Sequence, residues 1–300
     1  MTSQDTQNSN SSRNAEELSG MVCALLSGIL FGTMPLMTRA AYSLGSNAVT
    51  VAFGRFLTGA VFSGICLLLR YRTVFGLTKR QLRNIAMLSL FFSAMPCLLY
   101  GSYRYIDSGL ATTLHFTYPV AVMLISAAVF REHIGRTSLI CILLCVSGIL
   151  LLSQSQGNAN LRGMLLAAGS GVVYAVYIIG VDRCGLKKLP VLLIIFWLSV
   201  FSAIEVFFIS LLSRSLLLGL PAKVWIPYTA LGLIAMVIAA SLFQLGIMKC
   251  GGVKSSMLST VEPVTGVLLG VLVFREQMSL KIAGGILLIL LSVVILIRPE

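Results

Sequence analysis

Ten separate runs of mostly apolar residues divide this chain. Each run is long enough to cross a lipid bilayer as a helix, which takes about 20 such residues. With 57% hydrophobic and 11% charged residues, the sequence is unlike a soluble domain, a secreted disulfide scaffold or a disordered chain. The runs are too long and continuous for barrel strands, so the sequence predicts an all-α membrane protein of ten transmembrane helices. They cover residues 18–41, 48–69, 84–104, 108–130, 137–154, 161–181, 190–212, 225–248, 254–274 and 280–297.

The distribution of basic residues predicts how the chain lies in the membrane. Residues 1–17 are polar and lack the basic start of a secretory signal, which predicts a disordered cytoplasmic tail. With the N-terminus inside, the cytoplasmic segments hold 14 Lys and Arg residues and the opposite segments hold seven. Basic residues favour the cytoplasmic side, so we expect a multi-pass plasma (inner) membrane protein with both termini cytoplasmic. The formal charge of +12 then reflects contact with the lipid bilayer, and no nucleic-acid partner is expected.

The two halves of the chain resemble each other. Residues 18–28 (LSGMVCALLSG) align with residues 161–171 (LRGMLLAAGSG), and six of these eleven positions are identical. Residues 119–132 align with residues 263–276, with seven identities in fourteen positions; both segments begin with Pro-Val and end with Val-Phe-Arg-Glu. Such self-similarity indicates an internal duplication.

The duplication divides the chain into a first five-helix repeat over residues 18–155 and a second over residues 161–298. Because five is an odd number, the second repeat must start on the side of the membrane where the first one ends. The repeats are therefore inverted relative to each other. Inverted repeats are typical of transporters, in which they allow a central cavity to open alternately to each side.

On these features the chain resembles the drug/metabolite transporter superfamily, EamA type. The resemblance rests on the two repeats, on Gly54-Arg55-Phe56 at the start of helix 2, and on a proline within helices 4 and 9. It implies ten helices around a central cavity, with helices 5 and 10 at the periphery. It also implies a small-molecule cargo such as an amino acid, another metabolite or a toxic compound. The halves differ at one point, since Thr117-Tyr118-Pro119 in helix 4 stands opposite Val261-Glu262-Pro263 in helix 9.

Three charged residues lie well inside predicted helices, where charge is costly and suggests function. Arg55 in helix 2 and Glu205 in helix 7 are at similar depth, so they can form a buried ion pair. Alternatively, Arg55 caps backbone carbonyls, or it lines the cavity and binds a carboxylate of the cargo.

The third charge, Glu262, precedes Pro263 near the middle of helix 9. A proline removes a backbone donor and is expected to leave the carbonyl of Ser259 free. Glu262 is then either a protonated group hydrogen-bonded within the bundle or a site that binds and releases a proton during transport.

His115, one helical turn before Pro119, is a further candidate; the alternative is a packing histidine. Pro119 and Pro263 are candidate hinges. The remaining candidates for binding the cargo are aromatic or amide side chains, each of which can instead serve in packing. They are Tyr100, Tyr118, Tyr174, Tyr177, Trp197 and Gln244.

The sequence contains no phosphate loop, zinc-protease motif, nucleophile elbow or Cys-x-x-Cys motif, so we expect no metal, no cofactor and no enzymatic activity. Glycine pairs spaced as in Gly28 and Gly32 mark either a homodimer face or close contact within one bundle. The sequence favours a secondary transporter that exports a small metabolite, with proton coupling as one option. The alternatives are an uncoupled facilitator or importer and, from another class, a membrane-embedded enzyme or accessory subunit.

Overall fold

A computed structural model describes residues 3–71, 76–102, 105–106, 108–152, 160–187, 189–274 and 279–297. These residues are almost entirely helical, with no strand among them. A 3₁₀ turn over Ala222–Val224 precedes α10, and a π-helical segment over Leu231–Ala239 joins α10 to α11. The α-helices are α1 (Ser3–Phe31), α2 (Met34–Ser43), α3 (Ala48–Tyr71), α4 (Lys79–Ser102), α5 (Ser108–His115), α6 (Tyr118–Phe130), α7 (Arg136–Leu152), α8 (Leu161–Arg183), α9 (Val191–Leu212), α10 (Trp225–Ala230), α11 (Ala240–Cys250), α12 (Gly252–Leu258), α13 (Val261–Phe274) and α14 (Leu280–Ile297).

The helices confirm the predicted all-α membrane fold. Within the described residues, eight helical spans are long and apolar enough to cross a membrane. The apolar helices α6 and α7 are shorter, with 13 and 17 residues, and they belong to the fourth and fifth predicted spans. The count of ten therefore remains a prediction. Residues 1–2, 103–104, 153–155 and 298, which the predicted segments include, lie outside the described residues.

The helix of the first span continues into the polar segment before it. α1 begins at Ser3, and the assignment of residues 1–17 as a separate tail stays a prediction. The segment contains neither Pro nor Gly, the residues that end helices most strongly, so the helix of the first span can extend into it.

Polar contacts identify the two ends of the bundle. At one end, which we call the N-face, Lys249 bonds to Ser19, and the backbone N–H of Gly252 donates to Asp182. At the opposite face, Tyr228 bonds to Ser46 at 2.5 Å. Four helix ends meet at the N-face, those of α1, α8, α11 and α12. Successive helices are predicted to cross the membrane in alternating directions, and this alternation places the same four ends on one side.

Helix packing repeats between the two halves as the duplication requires. In the first half α1 packs against α11 of the second half, and in the second half α8 packs against α4 of the first half. In both contacts, the first helix of one repeat packs against the third helix of the other repeat. The second helices of the two repeats, α3 and α9, pack against each other, as do the fifth helices, α7 and α14. The interface between the halves is thus built from equivalent helix pairs.

Three predicted spans are broken in the middle. The breaks fall at Gly32-Thr33, Phe116-Thr117 and Ser259-Thr260, and in each case a proline follows within the first three residues of the next helix. Proline is tolerated there because the N–H groups of a first turn have no partner within the helix. The proposed hinge residues Pro119 and Pro263 therefore lie just after helix breaks, and their role in motion stays a prediction.

Each break carries a threonine that donates twice to one carbonyl oxygen, through its backbone N–H and through its hydroxyl. The hydroxyls of Thr33, Thr117 and Thr260 donate to the carbonyl oxygens three residues earlier, at 2.6, 2.7 and 2.6 Å. These carbonyls accept a backbone N–H at each break, so they are paired without the hydroxyl. The hydroxyl bond instead satisfies the threonine side chain, which would otherwise be a polar group without a partner at membrane depth.

Equivalent glycines of the two repeats pack against these breaks. A methyl carbon at Gly28 in α1 would lie 2.7 Å from the Val261 side chain and 3.1 Å from Cα of Ser259. At Gly171, the counterpart of Gly28 in α8, a methyl carbon would lie 2.8 Å from the carbonyl oxygen of His115. Each repeat thus presses a glycine onto the broken helix of the other, which is contact within one bundle.

We expect Gly171→Ala to destabilise the protein by about 1–3 kcal/mol, because the added methyl group overpacks the break beside His115. The matched control is Gly169→Ala in the same helix, where an added carbon meets nothing within 4 Å. Thermal unfolding of both variants in detergent measures the difference. Equal melting temperatures for the two variants would contradict the close contact at Gly171.

Candidate functional site

Aromatic rings from both halves gather at the centre of the bundle. Tyr174 of α8 stacks on Tyr177, with ring centroids 5.8 Å apart, and on Phe243 of α11 at 6.2 Å. Tyr118, at the start of α6, meets Tyr174 edge to face at 4.9 Å. Tyr118, Tyr174 and Tyr177 were predicted to bind the cargo, and the structure brings all three together. We call Tyr118, Tyr174, Tyr177 and Phe243 the aromatic cluster.

Gln244 joins this cluster from α11. Its Nε2 donates to the hydroxyl oxygen of Tyr177 at 2.8 Å. The Gln244 side chain is fully buried, and its Oε1 has no hydrogen-bond partner among the described residues. A buried acceptor without a protein partner is unusual and calls for a donor. Gln244 therefore offers a place for a donor on a bound molecule.

The aromatic cluster contacts two of the helix breaks. The hydroxyls of Tyr118 and Ser259 are hydrogen-bonded to each other, which links the break in the first half to the break in the second. Toward the N-face from this contact, α6 packs against α12. The contact therefore lies where the two halves meet at the middle of the bundle.

His115 is bonded to the second half of the chain. Its Nδ1 lies 2.9 Å from the hydroxyl oxygen of Ser170, and its ring is 5.8 Å from that of Tyr174. The imidazole is buried, with 7% of the residue exposed. This environment is compatible with both alternatives for His115. The imidazole is buried with a hydrogen-bond partner, as a packing histidine requires, and it also borders the aromatic cluster, as a cargo-binding residue requires.

Arg55 is buried, with 6% of the residue exposed. Its guanidinium lies 5.3 Å from the ring centre of Phe56 and 5.8 Å from that of Phe92, within cation–π distance. Phe92 in turn contacts Tyr177 at 4.8 Å. Glu262 lies three residues after Ser259, whose hydroxyl is bonded to Tyr118 of the aromatic cluster. A positive and a negative group therefore share one aromatic environment.

Glu262 occupies the first turn of α13, directly after the third helix break, and it is only partly buried. The expectation of a free carbonyl at Ser259 is wrong. That oxygen accepts the backbone N–H of Glu262 at 3.0 Å, because the chain tightens into a turn where the helix breaks.

Glu205 makes its hydrogen bonds with α4. Its two oxygens accept from the hydroxyls of Ser89 and Ser93, each at 2.6 Å. These serines are one helical turn apart and both buried. The described hydrogen bonds of Glu205 thus join α9 to α4.

Two predicted binding residues do not join the cluster through described contacts. Trp197 of α9 contacts Phe196 and Phe201, both on its own helix. Tyr100 lies in α4, and its side chain lies outside the described part of the structure.

Sequence reasoning missed Phe92, Phe243 and Ser170 as neighbours of the site. In an apolar helix a phenylalanine at the cavity has the same sequence signal as one in the core. Ser170 could have been found, since it lies beside Gly171 in the segment that the two repeats share.

The broken helices, the inverted packing of two equivalent halves and a charged aromatic cluster between them define a membrane transporter. A family comparison agrees with this class. The model of the EamA-like transporter family matches residues 18–154 and again residues 161–298. The chain belongs to this family.

Relatives with curated names are transporters. The threonine/homoserine exporter RhtA of Salmonella typhimurium (strain SL1344) is 30% identical over 146 residues, which are 49% of this chain and 46% of the exporter. The aligned part thus spans about half the length of that relative. A protein of Synechocystis sp. named uncharacterized transporter sll1319 is 25% identical over 93% of both chains. A crystal structure matches the fold with a TM-score of 0.75 at 20% identity, over 92% of this chain and 96% of the other.

We expect Arg55→Lys to lower transport about tenfold while folded yield stays normal, because an ammonium lacks the planar two-pronged donor of guanidinium. Flux in proteoliposomes and monodisperse yield after purification measure the two effects. Arg70→Lys, at the exposed end of the same helix, is the control and should change neither.

The ion-pair reading makes the opposite prediction for Arg55. It requires that single substitutions lower the folded yield and that exchanging the charges, Arg55→Glu with Glu205→Arg, restores it. Such a restoration would contradict the assignment of Arg55 to the central site.

Proposed function

We propose that the protein exports a small zwitterionic metabolite of the amino-acid class by alternating access. The observation that carries this proposal is the shared location of Arg55 and Glu262. Arg55 packs on Phe92, which contacts Tyr177 of the aromatic cluster. Glu262 follows Ser259, whose hydroxyl is bonded to Tyr118 of the same cluster. A cargo that carries both charges matches this pair of groups.

The chemistry of the surrounding residues supports a zwitterion. A guanidinium binds a carboxylate through two parallel hydrogen bonds. A carboxylate such as that of Glu262 and the faces of tyrosine rings both attract an ammonium group. The unpartnered Oε1 of Gln244 accepts a further donor, such as a hydroxyl group on the cargo. The cargo is then held at both ends and along its side chain.

The comparisons support the same cargo class. The curated relatives that match half of this chain are named for exporting threonine and homoserine, which are amino acids with a hydroxyl group. Arg55, Tyr118 and Gln244 supply the matching contacts in this chain. A membrane-embedded enzyme or accessory subunit has no such support among the relatives.

Orientation determines the direction in which the cargo moves. We place both termini in the cytoplasm of a cell whose plasma membrane holds the protein, because 14 basic residues stand on that side against seven on the other. The N-face is then cytoplasmic. The packing of α6 on α12 and the Tyr118–Ser259 contact stand between the central site and the cytoplasm. Export proceeds when this side opens, loads and closes.

Glu262 is our candidate for proton coupling, because a carboxyl beside the helix break can link its charge to the position of α13. Ionised, it attracts the ammonium group of the cargo; protonated, it releases it. An uncoupled facilitator or importer is the alternative, and it needs no proton at Glu262.

Flux of radiolabelled L-threonine in proteoliposomes tests the proposal. In the wild type, the flux should be saturable and should change with pH over the range from about 5.5 to 8.5. When a proton gradient is imposed, the wild type should also accumulate threonine against the threonine gradient. Glu262→Gln, which mimics the protonated form, should give flux that no longer varies with pH and no accumulation. The matched control is Glu16→Gln at the exposed N-face, which should behave as the wild type.

If wild type and Glu262→Gln both give saturable flux that does not respond to the proton gradient, the protein is an uncoupled facilitator and Glu262 is not a coupling site. An absence of threonine flux in wild-type vesicles would contradict the proposed cargo class.

A further inference from the structure

A second polar cavity lies at the N-face, away from the central site. It has a volume of about 270 Å³ and lies between the two halves, with walls from α6 and the following loop on one side and from α8, α11 and α12 on the other. Its charged lining consists of Glu132, Asp182 and Lys254, beside His133. We call this cavity the N-face vestibule. A cavity of this size holds a small amino acid together with some water.

Two ion pairs cross between the halves at the vestibule. Lys254 of the second half pairs with Glu17 of the first, and Arg183 of the second half pairs with Glu132 of the first. In both pairs the acid belongs to the first half of the chain and the base to the second half. The pairs therefore join the two halves at the N-face.

These ion pairs are weak bonds. The four side chains are between 35% and 42% exposed, and exposed pairs hold their partners loosely because water screens them. Each pair has one member in the vestibule wall, Lys254 or Glu132. The other members, Glu17 and Arg183, are not among the described residues that line it. A solute in the vestibule can thus compete with the outer member for the inner one.

We propose that the N-face vestibule is a second cargo site, which takes compounds carrying both an ammonium and a carboxylate group. The cargo carboxylate binds Lys254 in place of Glu17, and the cargo ammonium binds Glu132 in place of Arg183. Asp182, held by Lys187 at 2.8 Å and by the N–H of Gly252, keeps the wall between these two charges in place. The proposal rests on the proposed function, because it assumes a zwitterionic cargo.

The exchange couples binding to opening. When the cargo takes over Lys254 and Glu132, both ion pairs between the halves are broken and charge is conserved at each site. The N-face then loses two of its links between the halves while the cargo is bound in the vestibule. Loading thus selects the conformation in which the cytoplasmic side opens, since the cargo binds that conformation better.

Equilibrium binding of radiolabelled L-threonine to the purified full-length protein in nanodiscs tests the vestibule site. We expect two equivalents per chain in the wild type and one in Lys254→Gln. Glu17→Gln frees Lys254 from its competitor, so it should keep both equivalents and tighten the vestibule site by up to about fivefold. Lys249→Gln and Glu16→Gln, at the same face but outside the vestibule, are the controls and should match the wild type.

Two analogues test the chemical class. L-threonine methyl ester lacks the carboxylate and 2,3-dihydroxybutanoate lacks the ammonium, so each should displace threonine from the vestibule less well than threonine itself.

Three results would overturn the inference. If one equivalent of threonine binds per chain, Lys254→Gln does not change this number and the protein transports threonine, there is no vestibule site and the proposed function stands. Weaker binding in Glu17→Gln shows that the pair only maintains the structure. Absence of both binding and flux in the wild type overturns the proposed function and the vestibule site together.

Discussion

The packing of each repeat over the broken helices of the other governs this structure. Three helices are broken at membrane depth, and in each a threonine hydroxyl adds a second hydrogen bond to a carbonyl oxygen that already accepts the threonine N–H. Because broken backbone is tolerated in a membrane only where protein covers it, the other repeat must pack against it. Gly28 and Gly171 make that approach possible. The meeting of the two halves follows from this requirement.

The central site follows from the breaks. Tyr118 begins the helix after one break, Ser259 lies in another, and Glu262 stands in the turn that follows it. A continuous helix would point these side chains along its surface at regular intervals. The breaks instead bring a phenol, a hydroxyl and a carboxylate to the junction between the repeats. Arg55 reaches the same place from an unbroken helix and brings the opposite charge.

The spans and the duplication could be predicted from the sequence because hydropathy and self-similarity are local signals. Arg55 and Glu262 could be found because charge within an apolar run is rare. Most of the remaining site depends on which helix faces which. The serine partners of Glu205 on α4 and the place of Phe92 beside Arg55 are tertiary contacts with no local signature. The tight turn that occupies the carbonyl of Ser259 was also missed, because proline alone indicates a bend and not its geometry.

We predict that the two halves separate at the N-face during transport, with movement at the helix breaks. Spin-label side chains, genetically encoded at Arg136 and Lys249, would lie at the N-face outside the vestibule lining, one in each half. Pulsed electron resonance in nanodiscs gives the distribution of distances between them. We predict a short distance without cargo and a second, longer distance that gains population when L-threonine is added. A single distribution that L-threonine leaves unchanged, in labelled protein that still transports it, would contradict this prediction.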